Sequence, residues 1–208
     1  MTTTLELAEA CAVAYEAFTW QSYSDTQLNV VNIGDEIVFA FRGTEASTWY
    51  ADGNWKDIVA DLRFLPRFSK DVGWAHRGFL NAAEEAYKHI LDKYSPWNIP
   101  PIMTGHSLGG AIAMVCATKL SMNGYDVRNC VTFGAPRCLR PSTRQNKFAV
   151  AQYVNKNDIV PSFMWWSPFD HVSWDQLGIR STPEYRHRTW RDHGIEQYIQ
   201  TLTTGVPL

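Results

Sequence analysis

The chain has no C-x-x-C pair, no block of like charges, no glycine-rich phosphate loop and no apolar run long enough to cross a bilayer, and each absence removes a class of function. Its four cysteines, Cys11, Cys116, Cys130 and Cys138, lack zinc or redox spacing, and three of them sit in apolar runs. Reduced packing residues are expected, without a disulfide framework. Lys and Arg number 19 against 21 Asp and Glu, a net charge of -2. The basic residues are scattered, so neither a nucleic-acid partner nor a polybasic membrane anchor is expected. No two histidines share a helix face at ligand spacing, and Asp170-His171 with Asp175 forms a mixed loop cluster. Neither a metal nor another cofactor is expected. The N-terminus lacks a basic region and runs into Glu6 and Glu9, unlike a secretory signal, so the default expectation is a cytoplasmic protein, with release by another route left open.

What is abundant is aromatic side chain: nine Trp, nine Tyr and ten Phe in 208 residues, more than a core of this size needs. Some are candidates to line an apolar substrate site. The length fits one domain spanning 1–208, with no repeat or linker. Apolar residues at helical spacing predict helices over 5–18, 54–63, 78–94, 108–122 and 192–203, the first capped by Thr3 or Thr4. Leu28–Ile33 and Glu36–Phe41 flank a Gly34-Asp35 turn and read as a hairpin. Further strands are expected at 100–104, 129–136 and 148–155, and the stretch 161–189 reads as irregular. Strands alternating with helices predict an α/β fold with a central, mostly parallel sheet and an N-terminal hairpin.

Gly105-His106-Ser107-Leu108-Gly109 lies between an apolar strand and an apolar helix, the setting of a nucleophile elbow. A serine hydroxyl is a weak nucleophile, so a hydrolase presents it on a sharp turn, next to a base and to N–H groups that hold an oxyanion. Small residues two positions either side leave room for strand and helix to approach. In α/β-hydrolases an acid and then a histidine follow the serine in the chain. Asp158, after a strand, and His193, at the head of the last helix, answer that order. Rivals are His76, His106, His171 and His187 for the base and Asp170, Asp175 and Asp192 for the acid. His106 adjoins the serine, but on a strained turn its side chain is expected to point elsewhere and pack.

The chain resembles the class 3 (fungal-type) lipases, a branch of the α/β-hydrolases. The resemblance runs in order through Phe41-Arg42-Gly43-Thr44, Asn54-Trp55 with Asp61-Leu62, His76-Arg77-Gly78-Phe79, the 105–110 stretch, Thr132-Phe133-Gly134-Ala135-Pro136-Arg137, Tyr153-Val154-Asn155 with Asp158-Ile159-Val160-Pro161, and Asp192-His193 with Tyr198. It implies Ser107 as nucleophile, Asp158 as acid and His193 as base, in an enzyme that hydrolyses carboxylic esters of acyl lipids. It also implies an oxyanion hole made by Thr44 and the N–H of Leu108. The stretch 45–53 falls in the family's lid region and is longer than expected there, with Trp49 and Tyr50 placed either to cap an acyl pocket or to sit in a polar surface loop. Trp165 and Trp166, between acid and base, are a second candidate wall for that pocket. The expected partners are an acyl-ester or lipid substrate and transient contact with a lipid surface, without a stable membrane span. An inactive hydrolase-fold module that binds a lipid or partner is the alternative, and it would require a lost triad member.

Overall fold

The computed structural model describes residues 1–23, 25–43, 66–140, 147–155, 158–162 and 191–205. Its centre is a six-stranded sheet in the order β1 (Trp20–Gln21), β2 (Gln27–Ile33), β3 (Glu36–Phe41), β6 (Ile102–His106), β7 (Asn129–Phe133) and β8 (Ala149–Tyr153). The first three strands pair antiparallel, and β3, β6, β7 and β8 run parallel. The hairpin turn falls at Gly34-Asp35, as its sequence predicts, with Gly34 at φ +59°. A separate two-stranded ribbon, β4 (Pro66–Ser69) with β5 (Gly73–His76), was not expected. Its four-residue strands are too short for alternation to stand out.

Among the described residues four helices flank the sheet: α1 (Thr4–Glu16), α2 (Arg77–Tyr94), α3 (Leu108–Met122) and α4 (Ile195–Thr204). α1 starts at a capping box. The Glu6 N–H donates to Thr3 Oγ1 at 3.2 Å, and the Thr3 N–H donates to Glu6 Oε2 at 2.7 Å. The helix predicted over 192–203 divides, with a short 3-10 turn at Arg191–His193 followed by α4 from Ile195. His193 therefore ends a turn instead of opening a helix. Gly194 caps α4 with extended backbone, which breaks the helical path just after it. The helix expected over 54–63 and nearly all of 161–189 lie outside the described residues.

Strand alternation explains the two cores. Val38, Ile102 and Val131 point to one face with Leu7 and Cys11 of α1 and Ile195 and Tyr198 of α4. Their immediate neighbours Phe39, Met103 and Cys130 point to the other, against Leu80 and Ile90 of α2 and Met114 and Leu120 of α3. α3 is buried almost from end to end, and so carries apolar or small residues all round. Its one buried cation, Lys119, keeps its charge partnered by donating to Asp71 Oδ2 at 2.8 Å. All four cysteines are free and buried, and burial pushes the thiols of Cys11, Cys116 and Cys138 up to about 12.

The stacking also fixes where chemistry can occur. Parallel strands β6, β7 and β8 end side by side, and the chain leaving each of them opens onto the same edge of the sheet.

Candidate active site

Ser107 follows β6 immediately and caps α3 with φ +56° and ψ -129°, a region that a residue with a Cβ seldom occupies. Such a conformation costs about 1–3 kcal/mol and persists only where its surroundings over-determine it. They do here. The Ser107 N–H donates to the Phe133 carbonyl at 2.9 Å, and its own carbonyl accepts from Gly110 at 3.0 Å and Ala111 at 3.3 Å. Strand and helix meet through Gly105 and Gly109, where a Cβ on Gly105 would lie 2.5 Å from the Gly109 carbonyl carbon and one on Gly109 would strike the backbone of Phe41 and Arg42. The elbow holds its shape because backbone packs against backbone at both glycines.

The strain aims the hydroxyl at His193. Ser107 Oγ lies 2.8 Å from His193 Nε2, and His193 Nδ1 lies 2.9 Å and 3.0 Å from the two oxygens of Asp158. A carboxylate only accepts, so Nδ1 carries the proton, Nε2 is left with a lone pair, and the Ser107 hydroxyl donates to it. All three residues are buried. A buried carboxylate needs several donors, and Asp158 has them: besides His193, the Val160 N–H donates to Oδ1 at 2.8 Å and the Tyr198 hydroxyl to Oδ2 at 2.5 Å. Burial first, and then the charge of Asp158, raise the Tyr198 phenol well above its ordinary range, so it remains a donor. The Tyr198 oxygen in turn accepts from the Asn155 N–H at 3.2 Å, and the Asn155 side-chain amide donates to the Asp192 carbonyl at 3.2 Å. The end of β8 and the turn bearing His193 are thereby tied together. Gly134, at φ +60°, leaves the room for this cluster; a Cβ there would fall 2.7 Å from Asp158 Oδ2, 2.9 Å from the Tyr198 hydroxyl and 3.1 Å from His193 Cε1.

Two further backbone segments approach Ser107. Leu108 opens α3, so its N–H has no intrahelical acceptor and stands at the positive end of a helix, beside Ser107. The chain leaving β3 also reaches the serine: a Cβ on Gly43 would sit 3.1 Å from Ser107 Cβ and 2.7 Å from the His106 carbonyl. Thr44 follows directly, but it lies outside the described residues, as do Trp49, Tyr50, Trp165 and Trp166 and the rivals His171, His187, Asp170 and Asp175. Of the remaining rivals, His76 packs on Phe79 beside the start of α2, and Asp192 meets Asn155 through its carbonyl. His106 is buried with one ring nitrogen on the Tyr15 hydroxyl and the other on the His193 carbonyl, turned away from the serine hydroxyl as its position on the turn predicts. The partners Tyr198 and Tyr15 are what residue-by-residue reading missed. Tyr198 carried only the signal of the family resemblance, and Tyr15 carried none beyond an apolar helical face.

Chemically, the arrangement suits nucleophilic substitution at an acyl carbon: a hydroxyl with its proton already directed to an imidazole, a carboxylate fixing that imidazole's tautomer, and an adjacent free N–H. Among the described residues no group of three or more His, Cys, Asp or Glu side chains is placed to hold a metal ion, and no helix is long and apolar enough to cross a membrane.

The chain is also similar to several known proteins. The family model of class 3 lipases matches residues 38–167. A lipase of Rhizomucor miehei is 30% identical over 161 residues, covering 69% of this chain and 42% of that one. The secreted mono- and diacylglycerol lipase 1 of Fusarium solani is 33% identical over 112 residues, covering 51% of this chain and 31% of that protein. The chain thus spans less than half the length of these curated relatives. The solved structure of the Rhizomucor miehei triacylglyceride lipase superposes with a TM-score of 0.61 at 22% identity, covering 78% of this chain and 76% of the other, and shares its α/β-hydrolase fold. With more than half its length matched by the family model, the chain belongs to the class 3 lipases.

Proposed function

We propose that the protein is a serine hydrolase that cleaves carboxylic esters of acyl lipids through an acyl-enzyme on Ser107. The observation that carries this reading is the unbroken hydrogen-bond line from Ser107 Oγ through His193 to Asp158, beside the N–H of Leu108. His193 Nε2 takes the Ser107 proton as Oγ bonds to the carbonyl carbon, and Asp158 stabilises the imidazolium that forms. The tetrahedral oxyanion rests on the Leu108 N–H and on Thr44, which follows the Gly43 backbone packed against the serine. His193 returns its proton to the leaving alcohol as the carbon–oxygen bond breaks. Water, deprotonated by the same nitrogen, then releases the acid and restores the hydroxyl.

Acylglycerols are the favoured substrate class, since one relative is named a mono- and diacylglycerol lipase and one similar structure a triacylglyceride lipase, while relatives from Oryza sativa are named phospholipases A1. In this reading Trp49, Tyr50, Trp165 and Trp166 supply apolar wall to the acyl site, and contact with a lipid surface is transient. The test is hydrolysis of p-nitrophenyl esters of graded acyl length, followed by emulsified mono-, di- and triacylglycerols, with wild type and Ser107→Ala in parallel. Release by wild type alone is expected. A folded wild type that releases nothing, or equal rates from both proteins, would overturn the reading. A binding module without activity would show the first of these results.

A further inference from the structure

The buried imidazole that the reaction does not consume is His106, and its contacts are specific at both ends. Nε2 meets the carbonyl of His193 at 2.6 Å, and Nδ1 meets the Tyr15 hydroxyl at 2.7 Å. A carbonyl only accepts, so Nε2 carries the proton, Nδ1 is the acceptor, and the tyrosine donates. We propose that His106 is a positioning residue for the base: it clamps the backbone of residue 193 to the strand that bears the nucleophile, with Tyr15 of α1 holding its ring in the tautomer that can do so. This inference rests on the reading of Ser107 and His193 as nucleophile and base.

Consecutive residues, His106 and Ser107, both reach residue 193, one at its carbonyl and one at its ring nitrogen. Two attachments from one rigid segment fix the position of the imidazole more closely than either does alone. The need for them is local. His193 sits at the end of a three-residue turn, and α4 starts only after Gly194. A displacement of about 1 Å in a reacting group is enough to lower a rate by roughly a hundredfold.

Histidine suits this place because one neutral ring both donates to the carbonyl and accepts from the phenol. Neutrality also matters, because the ring centroids of His106 and His193 are 4.7 Å apart and His193 becomes a cation in each half-reaction. Burial, then the neighbouring His193, hold the His106 imidazole well below its ordinary range, and the His193 carbonyl only partly opposes this. Burial raises the Tyr15 phenol, which therefore stays protonated.

The experiment compares His106→Leu, His106→Gln and Tyr15→Phe, using p-nitrophenyl butyrate for kinetics and the downfield Nδ1–H proton resonance of His193 as a signal that needs no substrate. His106→Leu removes the donor and should lower kcat by about 30- to 100-fold with KM within about twofold. The side-chain amide of His106→Gln restores a donor and should recover kcat to within about fivefold of wild type, and Tyr15→Phe should lower it by about three- to tenfold. The His193 resonance should broaden or vanish in His106→Leu and persist in His106→Gln. A folded His106→Leu with wild-type kcat and an unchanged resonance would overturn the proposal, as would a Gln variant no better than Leu. If the Leu variant does not fold, wild-type kcat and resonance in Tyr15→Phe overturn it instead. A wild type that cleaves no ester but loses the resonance in His106→Leu would sink the proposed function and leave the clamp standing.

Discussion

The two halves of the candidate site are held by different means. Ser107 is fixed by main chain: three backbone hydrogen bonds, a strained φ, and glycines packed against carbonyl groups. Asp158 and His193 are fixed by side chains that come from far away in the sequence, with Tyr198 separated from Asp158 by 40 residues and His106 from His193 by 87. Each half is therefore vulnerable in its own way. A main-chain elbow fails completely when one Cβ is added, whereas a side-chain network loses one hydrogen bond at a time and degrades by steps.

The largest effect should come from the elbow. Ser107→Gly removes the nucleophile and should abolish ester hydrolysis, a drop of about 10⁴-fold or more in kcat. It should also raise stability by about 1 kcal/mol in urea unfolding, because glycine adopts the observed φ without strain. Stability lower than wild type would break the claim that the turn is strained. Next is Gly109→Ala, whose added methyl meets the backbone of Phe41 and Arg42. It should destabilise the protein by roughly 3 kcal/mol and remove most of the activity. Wild-type unfolding and kinetics would show that backbone packing does not hold the elbow.

On the side-chain half, Tyr198→Phe removes one of the donors to Asp158 while keeping the ring. A fall in kcat of about tenfold and a stability loss of about 1–2 kcal/mol are expected, measured by steady-state kinetics and thermal melting. A loss as large as that of Ser107→Gly would erase the distinction between the halves. The smallest effect concerns the core beneath both. With thiols buried and those of Cys11, Cys116 and Cys138 raised to about 12, alkylation by iodoacetamide at pH 8 should be far slower in native protein than in urea. Tyr198→Phe should leave that protection intact, and Gly109→Ala should weaken it.

How much of this was legible in the chain follows from the same contrast. The elbow is local: an apolar strand, the 105–109 pentapeptide and a mostly apolar helix are contiguous, so Ser107 and the span of α3 can be read directly. The hairpin at Gly34-Asp35 is equally local, and the structure has it where its turn predicts. Asp158 and His193 could be picked by chain order, and the structure brings both to Ser107. Illegible were contacts whose partners share no sequence window, such as Tyr15 with His106 across 91 residues and Tyr198 with Asp158. Hydropathy marks Tyr15 and Tyr198 only as apolar-face residues, because a buried phenol looks like any other aromatic ring until its hydroxyl has a partner. The ribbon β4–β5 is hidden for a different reason: each strand has four residues, and Phe68 and Trp74 stay exposed on it, so no buried stripe marks its period.

The most direct measurement is active-site labelling with a fluorophosphonate probe, with the modified residue mapped by mass spectrometry. A single adduct on Ser107 is expected in wild type, none in Ser107→Gly, and labelling slowed by at least about a hundredfold in His193→Ala, because the hydroxyl loses its base. An adduct on another residue, or undiminished labelling without His193, would contradict the proposed triad.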